Sequence, residues 1–165
     1  MYNIRSLLFK NLSVPTFEGR NMATSGNVEV GPWGGTGGAP WRFQPNGRIT
    51  AIYIASGVCI DSIRFTYVDG QGTQSSPTYG GQGGGRQTIA FDNDEEIRQI
   101  SGTIGEYLGV TVVTSLTITT NKRVWPTYGA DGGTSFSLPV VVGKFVGFFG
   151  NSGDFLNSIG AILQP

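Results

Sequence analysis

Apolar residues recur at every second position in several short runs of this chain. Ile63, Phe65 and Tyr67 alternate with Arg64 and Thr66, and Leu116, Ile118 and Thr120 alternate with Thr117 and Thr119. A period of two puts alternate side chains on opposite faces of an extended strand, so each run predicts a strand with one face in a core. Two denser runs, Val140–Val142 and Phe145–Phe149, have Gly flanks and β-branched content. They predict buried strands rather than helices. No helix longer than a turn or two is expected, which makes the chain all-β.

The strands fall into repeats. An aromatic residue, a Gly-rich turn and an alternating strand occur together at Trp33–Phe43, Tyr79–Ile89 and Tyr128–Leu138. The three aromatics are spaced by about 46 and about 49 residues, the mark of units that cannot bury their apolar faces alone. A second motif accompanies each: Gly57-x-x-x-Asp61-Ser62-Ile63, Gly153-x-x-x-Asn157-Ser158-Ile159 and the degenerate Val110-x-x-x-Thr114-Ser115-Leu116. Three repeats of about four strands predict a domain with pseudo-threefold symmetry, its sheets closed on one another to limit exposed edges.

Composition narrows the chemistry. The 165 residues suit one domain. Lys plus Arg and Asp plus Glu number 11 each. The balance argues against nucleic acid, whose phosphates need a basic surplus, and against docking on anionic membranes. No apolar run has the length to span a bilayer. There is no histidine, which removes Ser-His and Cys-His nucleophilic sites and most zinc sites. Cys59 is the single cysteine, so no internal disulfide can form; between Val58 and Ile60 it reads as a buried packing residue. The acidic run Asp92–Glu96 reads as a solvated loop. Residues 1–26 read as an extension ahead of a domain at 27–165. The Leu7–Phe9 stretch is too short for a signal peptide, Met22 is an alternative start, and the Asn11-Leu12-Ser13 sequon matters only in a secreted chain.

The Gly-rich turns lack the Lys-Ser/Thr ending of a phosphate loop. Glycine there permits positive φ and lets a ligand approach the backbone, although tight hairpins also use it. The turn Gly57–Asp61 can present the N–H groups of Val58 and Cys59 around a small concavity. A carboxylate at its end accepts strong hydrogen bonds from neighbouring hydroxyls, and two adjacent sugar hydroxyls match that arrangement with no metal.

From about Asn27 to Pro165 the chain resembles the jacalin-related lectins. The resemblance rests on Gly31-Pro-Trp-Gly-Gly-Thr-Gly-Gly38, Phe136-Ser-Leu-Pro139 and Val146-Gly-Phe-Phe-Gly-Asn-Ser-Gly-Asp-Phe-Leu-Asn-Ser-Ile-Gly160. It implies a β-prism of three four-stranded antiparallel sheets and metal-independent monosaccharide binding at one end, with no cofactor. The family's main site maps onto Gly38 with Gly153, Asp154, Phe155 and Asn157. A second site, found in some mannose-binding members, maps onto Gly84 with Gly57, Val58, Cys59 and Asp61. The family's late Asp is Asn157 here, so the first site is expected to be weakened, by about tenfold or more if a charge-assisted bond is lost. Thr114 stands at the equivalent place in the middle repeat, where no third site is expected. Galactose-binding members are usually cleaved to expose an amino-terminal glycine, whereas this chain runs uncut through the first repeat, which favours mannose or glucose. Trp125, Tyr128 and Tyr79 are candidates for an aromatic rim, with two of the three expected in packing. The resemblance also implies a dimer or tetramer, a cytoplasmic or nuclear rather than secreted or vacuolar location, and a role in plant defence or stress. Two other readings compete: an interaction module that has lost sugar binding, and a glycosidase using paired carboxylates. The second finds only Asp92, Asp94, Glu95 and Glu96, crowded in one loop with no facing acid cluster.

Overall fold

The computed structural model describes residues 26–165. The Leu7–Phe9 stretch, the Asn11 sequon and the alternative start at Met22 lie outside the described residues. Alternating patterns become strands in chain order. The first repeat opens with β1 (Val28–Gly34) and β2 (Ala39–Phe43). The second comprises β3 (Arg48–Ser56), β4 (Ile60–Asp69), β5 (Gly72–Ser75), β6 (Tyr79–Gly80) and β7 (Gly85–Ala90). The third comprises β8 (Ile97–Tyr107), β9 (Val110–Thr120), β10 (Tyr128–Gly129) and β11 (Thr134–Pro139). The first repeat is then completed by β12 (Lys144–Ser152) and β13 (Ser158–Gln164).

These strands form three antiparallel sheets, a β-prism. Their orders are β1-β13-β12-β2, β5-β4-β3-β7 and β10-β9-β8-β11. The second sheet holds five strands in four positions: β5 and β6 lie end to end along β4. Between them Ser76 bonds back to Phe65, its N–H to the Phe65 carbonyl at 2.8 Å and its hydroxyl accepting the Phe65 N–H at 2.9 Å. The pseudo-threefold plan is thereby preserved, and among the described residues the first sheet alone joins the earliest strands to the latest ones.

The inward faces carry the expected residues. Ile63 and Phe65 on β4, and Leu116 and Ile118 on β9, are buried. Phe65 is at the centre of an aromatic stack, 4.4 Å from the Phe43 ring and 5.1 Å from the Phe148 ring, with planes nearly parallel. At one end of the prism the three repeats tie their backbones together. The Val113 N–H donates to the Leu156 carbonyl at 2.9 Å, and the Leu156 N–H donates to the Ile60 carbonyl at 3.0 Å. Each of these fully buried residues directly precedes the repeat's key position: Thr114, Asn157 or Asp61.

Two expectations need correction. Val140 is buried, but Val141 and Val142 are 89% and 86% exposed and form no strand. Sheet pairing ends at Pro139, the Val140 N–H closes on the Arg98 carbonyl, and Gly143 turns the chain at φ 95°. The two valines therefore have no neighbouring strand to cover them. Nor is the acidic run wholly solvated, because Glu95 is only 2% exposed. Burial pushes its carboxyl upward in pKa. Hydrogen bonds from the Asp92 N–H, Thr120 and Trp125, with the charge of Arg123, outweigh burial and hold it below the usual glutamate value. The ion pairs of Lys122 with Asp92 and Asp94 and of Arg123 with Asp92 complete the loop.

Candidate functional site

Two hollows form where the connection between a sheet's central strands meets the Gly-rich turn of the same repeat. In the second repeat the β3–β4 turn is closed by the Gly57 N–H donating to the Cys59 carbonyl at 3.0 Å. The N–H groups of Val58 and Cys59 donate to no acceptor among the described residues. Asp61 is the second residue of β4 and is 8% exposed. Its carboxylate has no hydrogen-bond or ion-pair partner in any other described residue and lies against Gly83 and Gly84. A methyl group at position 83 would stand 2.7 Å from Asp61 Oδ1, and one at 84 would collide with Oδ2 and stand 2.7 Å from the Ser56 nitrogen. Gly84 also has φ 82°, a backbone state that side chains disfavour. Glycine is thus required twice over beside this carboxylate. Burial raises the Asp61 pKa above its usual value, partly countered by its own backbone N–H. Burial, and then the Asp61 charge, push the Cys59 thiol up to about 11. The thiol therefore stays protonated and unreactive at neutral pH.

The first repeat repeats this construction. The Gly153 N–H donates to the Phe155 carbonyl at 3.0 Å, and the N–H groups of Asp154 and Phe155 find no acceptor among the described residues. Gly38, at φ 73°, lies so near the Ser152 carbonyl and the Gly153 nitrogen that no side chain would fit. A methyl group at Gly37 would stand 3.2 Å from Asn157 Nδ2, mirroring Gly83 and Asp61. Asn157 differs from Asp61 in its partners. It is 5% exposed, its Nδ2 makes a long 3.4 Å contact to the Thr111 carbonyl, and its Oδ1 is buried without any partner. Asp154 is exposed, and its backbone packs against Gly81 of the neighbouring repeat.

The third repeat, β8 to β11, lacks such a hollow. Leu108 and Gly109, both at positive φ, connect β8 to β9 in two residues. That connection is too short to build the open turn seen in the other two repeats. The Thr114 hydroxyl bonds to Thr103 at 2.6 Å and to the Gly132 carbonyl at 2.9 Å. Its polar capacity is spent within the protein.

Residues 30–162 match the Jacalin-like lectin domain. The chain belongs to this family. Horcolin from Hordeum vulgare is 42% identical over 142 residues, covering 84% of this chain and 97% of horcolin. The Mannose/glucose-specific lectin of Parkia platycephala is 37% identical over 148 residues, covering 85% of this chain and 32% of that protein. Among solved structures, a mannose binding jacalin related lectin from Ananas comosus superposes with a TM-score of 0.80 at 36% identity, covering 86% of this chain and 99% of that one.

In this lectin the structure groups Gly38, Gly153, Asp154, Phe155 and Asn157 around one hollow, and Gly57, Val58, Cys59, Asp61 and Gly84 around the other. Gly37 and Gly83 belong beside them, and the Gly-Gly pairs at 37–38 and 83–84 were the available signal. Tyr107 meets the Phe155 ring edge-on at 5.3 Å, and Thr111 receives the Asn157 amide. Both come from another repeat, and no spacing in the chain announces them. The candidate aromatic rim does not form. Tyr79 stacks on Trp41 at 4.5 Å, Tyr128 is buried, and Trp125 lies beside Glu95 under Arg123.

Proposed function

We propose that this lectin binds mannose- or glucose-type units of glycans without a metal and without transforming them, with the Asp61 hollow as the stronger site. The observation that carries the reading is one short turn, Gly57–Asp61, offering two amide donors and a carboxylate with no protein partners among the described residues. Two adjacent ring hydroxyls can donate to the carboxylate while ring or hydroxyl oxygens accept from the amides. The exposed Val58 at the tip supplies an apolar contact for a sugar face. The Parkia and Ananas proteins, by their mannose or mannose/glucose specificity, support the choice of sugar. Association into dimers or tetramers belongs to the same proposal, since it would turn weak single sites into avidity.

Calorimetry with methyl α-mannoside and methyl α-glucoside, in the presence of a chelator, tests this directly. Saturable binding is expected, and none with the galactoside. Absence of binding to any sugar would leave the competing reading, a jacalin-fold interaction module without sugar recognition. That reading draws its support from the neutral, covered amide of Asn157. A second variant addresses the first hollow. Asp61 shows that the shared frame accommodates a carboxylate, so Asn157→Asp is expected to raise mannoside affinity there about tenfold, the difference between a charged and a neutral acceptor. An unchanged isotherm would show that the amide is not what limits the site.

A further inference from the structure

The outer face of the second sheet carries a groove of about 320 Å³ next to the Asp61 hollow. Its floor follows from register. Gly80, Ser62, Ala55 and Arg86 are aligned across β6, β4, β3 and β7. The small residues at the centre of this row leave a trough. The adjoining row sets Arg64 beside Tyr53, with the guanidinium 4.2 Å from the ring centre. A cation held over a tyrosine ring is positioned by it without using up its N–H donors. Thr78 and Gln82 add neutral polar groups to the wall.

The cations of this groove stand apart from the others. Arg42, Arg98, Lys122, Arg123 and Lys144 each pair with a carboxylate, and Arg48 donates to the Asp92 carbonyl. Arg64 and Arg86 have no acceptor among the described residues, and both line the same trough. Gly83 belongs to the groove wall and also lies against Asp61 Oδ1, so the hollow and the groove share one glycine as their border. A glycan seated at Asp61 extends into the groove by crossing that glycine, where no side chain obstructs it.

We infer that the groove is a subsite for an acidic group, a carboxylate or a sulfate, on the sugar unit adjoining the one held at Asp61. The inference rests on the sugar-binding reading and adds a substrate class to it. Arg64 and Arg86 supply forked N–H donors for an oxyanion, and the neutral balance of the whole chain means that this attraction is local rather than a general pull on polyanions.

The test uses methyl mannosides carrying glucuronic acid at each ring position in turn, each beside its neutral glucosyl counterpart, with a parallel series bearing sulfate. Affinities are measured by calorimetry on the full chain at low and high salt. At least one acidic member is expected to bind about fivefold more tightly than its neutral counterpart. The advantage should shrink as salt rises and disappear in Arg64→Gln and in Arg86→Gln, while methyl α-mannoside affinity is retained. The two series separate carboxylate from sulfate as the preferred group. If every acidic member binds no better than its neutral partner while methyl α-mannoside still binds, the subsite is refuted and the sugar reading stands. An advantage that survives both arginine variants also refutes it. If methyl α-mannoside itself fails to bind, the underlying reading falls and the subsite with it. Arg86 is exposed, so Arg86→Gln keeps the test interpretable should Arg64→Gln perturb Tyr53 packing, which an unchanged melting temperature would exclude.

Discussion

Asp61→Ala is expected to lower mannoside affinity at the second hollow at least tenfold, which calorimetry would record as loss of the tighter class of sites. The carboxylate has no partner among the described residues to be orphaned by its removal. What is lost is the charged acceptor for ligand hydroxyls, worth about 1.5–3 kcal/mol for a hydrogen bond to a charged group, and about 1.4 kcal/mol already corresponds to a factor of ten. Asp61→Asn separates function from folding. Burial holds the Asp61 carboxyl above its usual pKa. The folded protein therefore takes up this proton more readily than the unfolded chain does. Ionised Asp61 weighs against folding at neutral pH, and that penalty vanishes as pH falls below the ordinary aspartate value. The amide should thus leave the urea midpoint unchanged or higher while weakening sugar binding. Binding by the native protein should fade on acidification at a higher pH than an exposed aspartate would dictate. A sharp fall in stability for Asp61→Asn would mean that the carboxylate serves the fold instead.

Phe65→Ala should be the most damaging single change to stability. Its ring is fully buried between Phe43 and Phe148, with Trp41 and Tyr79 at its margins. Truncation removes the buried ring and leaves a cavity that four neighbouring aromatics are too rigid to fill. The expected cost is about 3–5 kcal/mol, and a melting temperature lower by roughly 10 °C. Urea denaturation measures it, and a loss below about 1 kcal/mol would show that the stack collapses around the gap. Although Phe65 and Asp61 lie on one strand, residual folded protein should still bind sugar, because Gly83 and Gly84 supply the site's frame.

Alternation and repetition made most of the architecture readable before any coordinates. The face shared by Ile63 and Phe65 and that shared by Leu116 and Ile118 are buried. The Gly-rich turns at 37–38 and 83–84 meet the Gly153–Asn157 and Gly57–Asp61 turns because those motifs recur from repeat to repeat. Local readings failed where a residue's surroundings come from elsewhere in the chain. Val141 and Val142 look like strand, but no neighbouring strand pairs with them. Glu95 looks solvated, yet Thr120 at the end of β9 and Arg123 and Trp125 just after it converge on it. Thr111 and Tyr107 reach the first hollow only because the prism packs one repeat's hairpin beside another's turn. The floor of the arginine groove was equally hidden, since it depends on the register of four strands rather than on any contiguous motif.

The interleaving of early and late strands in the first sheet has a consequence for biosynthesis. On the ribosome, Gly57 through β7 emerge as one contiguous stretch, so everything that builds the Asp61 hollow is available early. The other hollow joins Gly38 to Asn157 and waits for β12 and β13. Until β12 and β13 arrive, β1 and β2 have nothing to pair with, and their unpaired edges are open to neighbouring nascent chains. Translation that stops before β12 and β13 therefore yields a product with one hollow at most and an exposed strand edge, so these two strands close the prism as well as completing its other hollow.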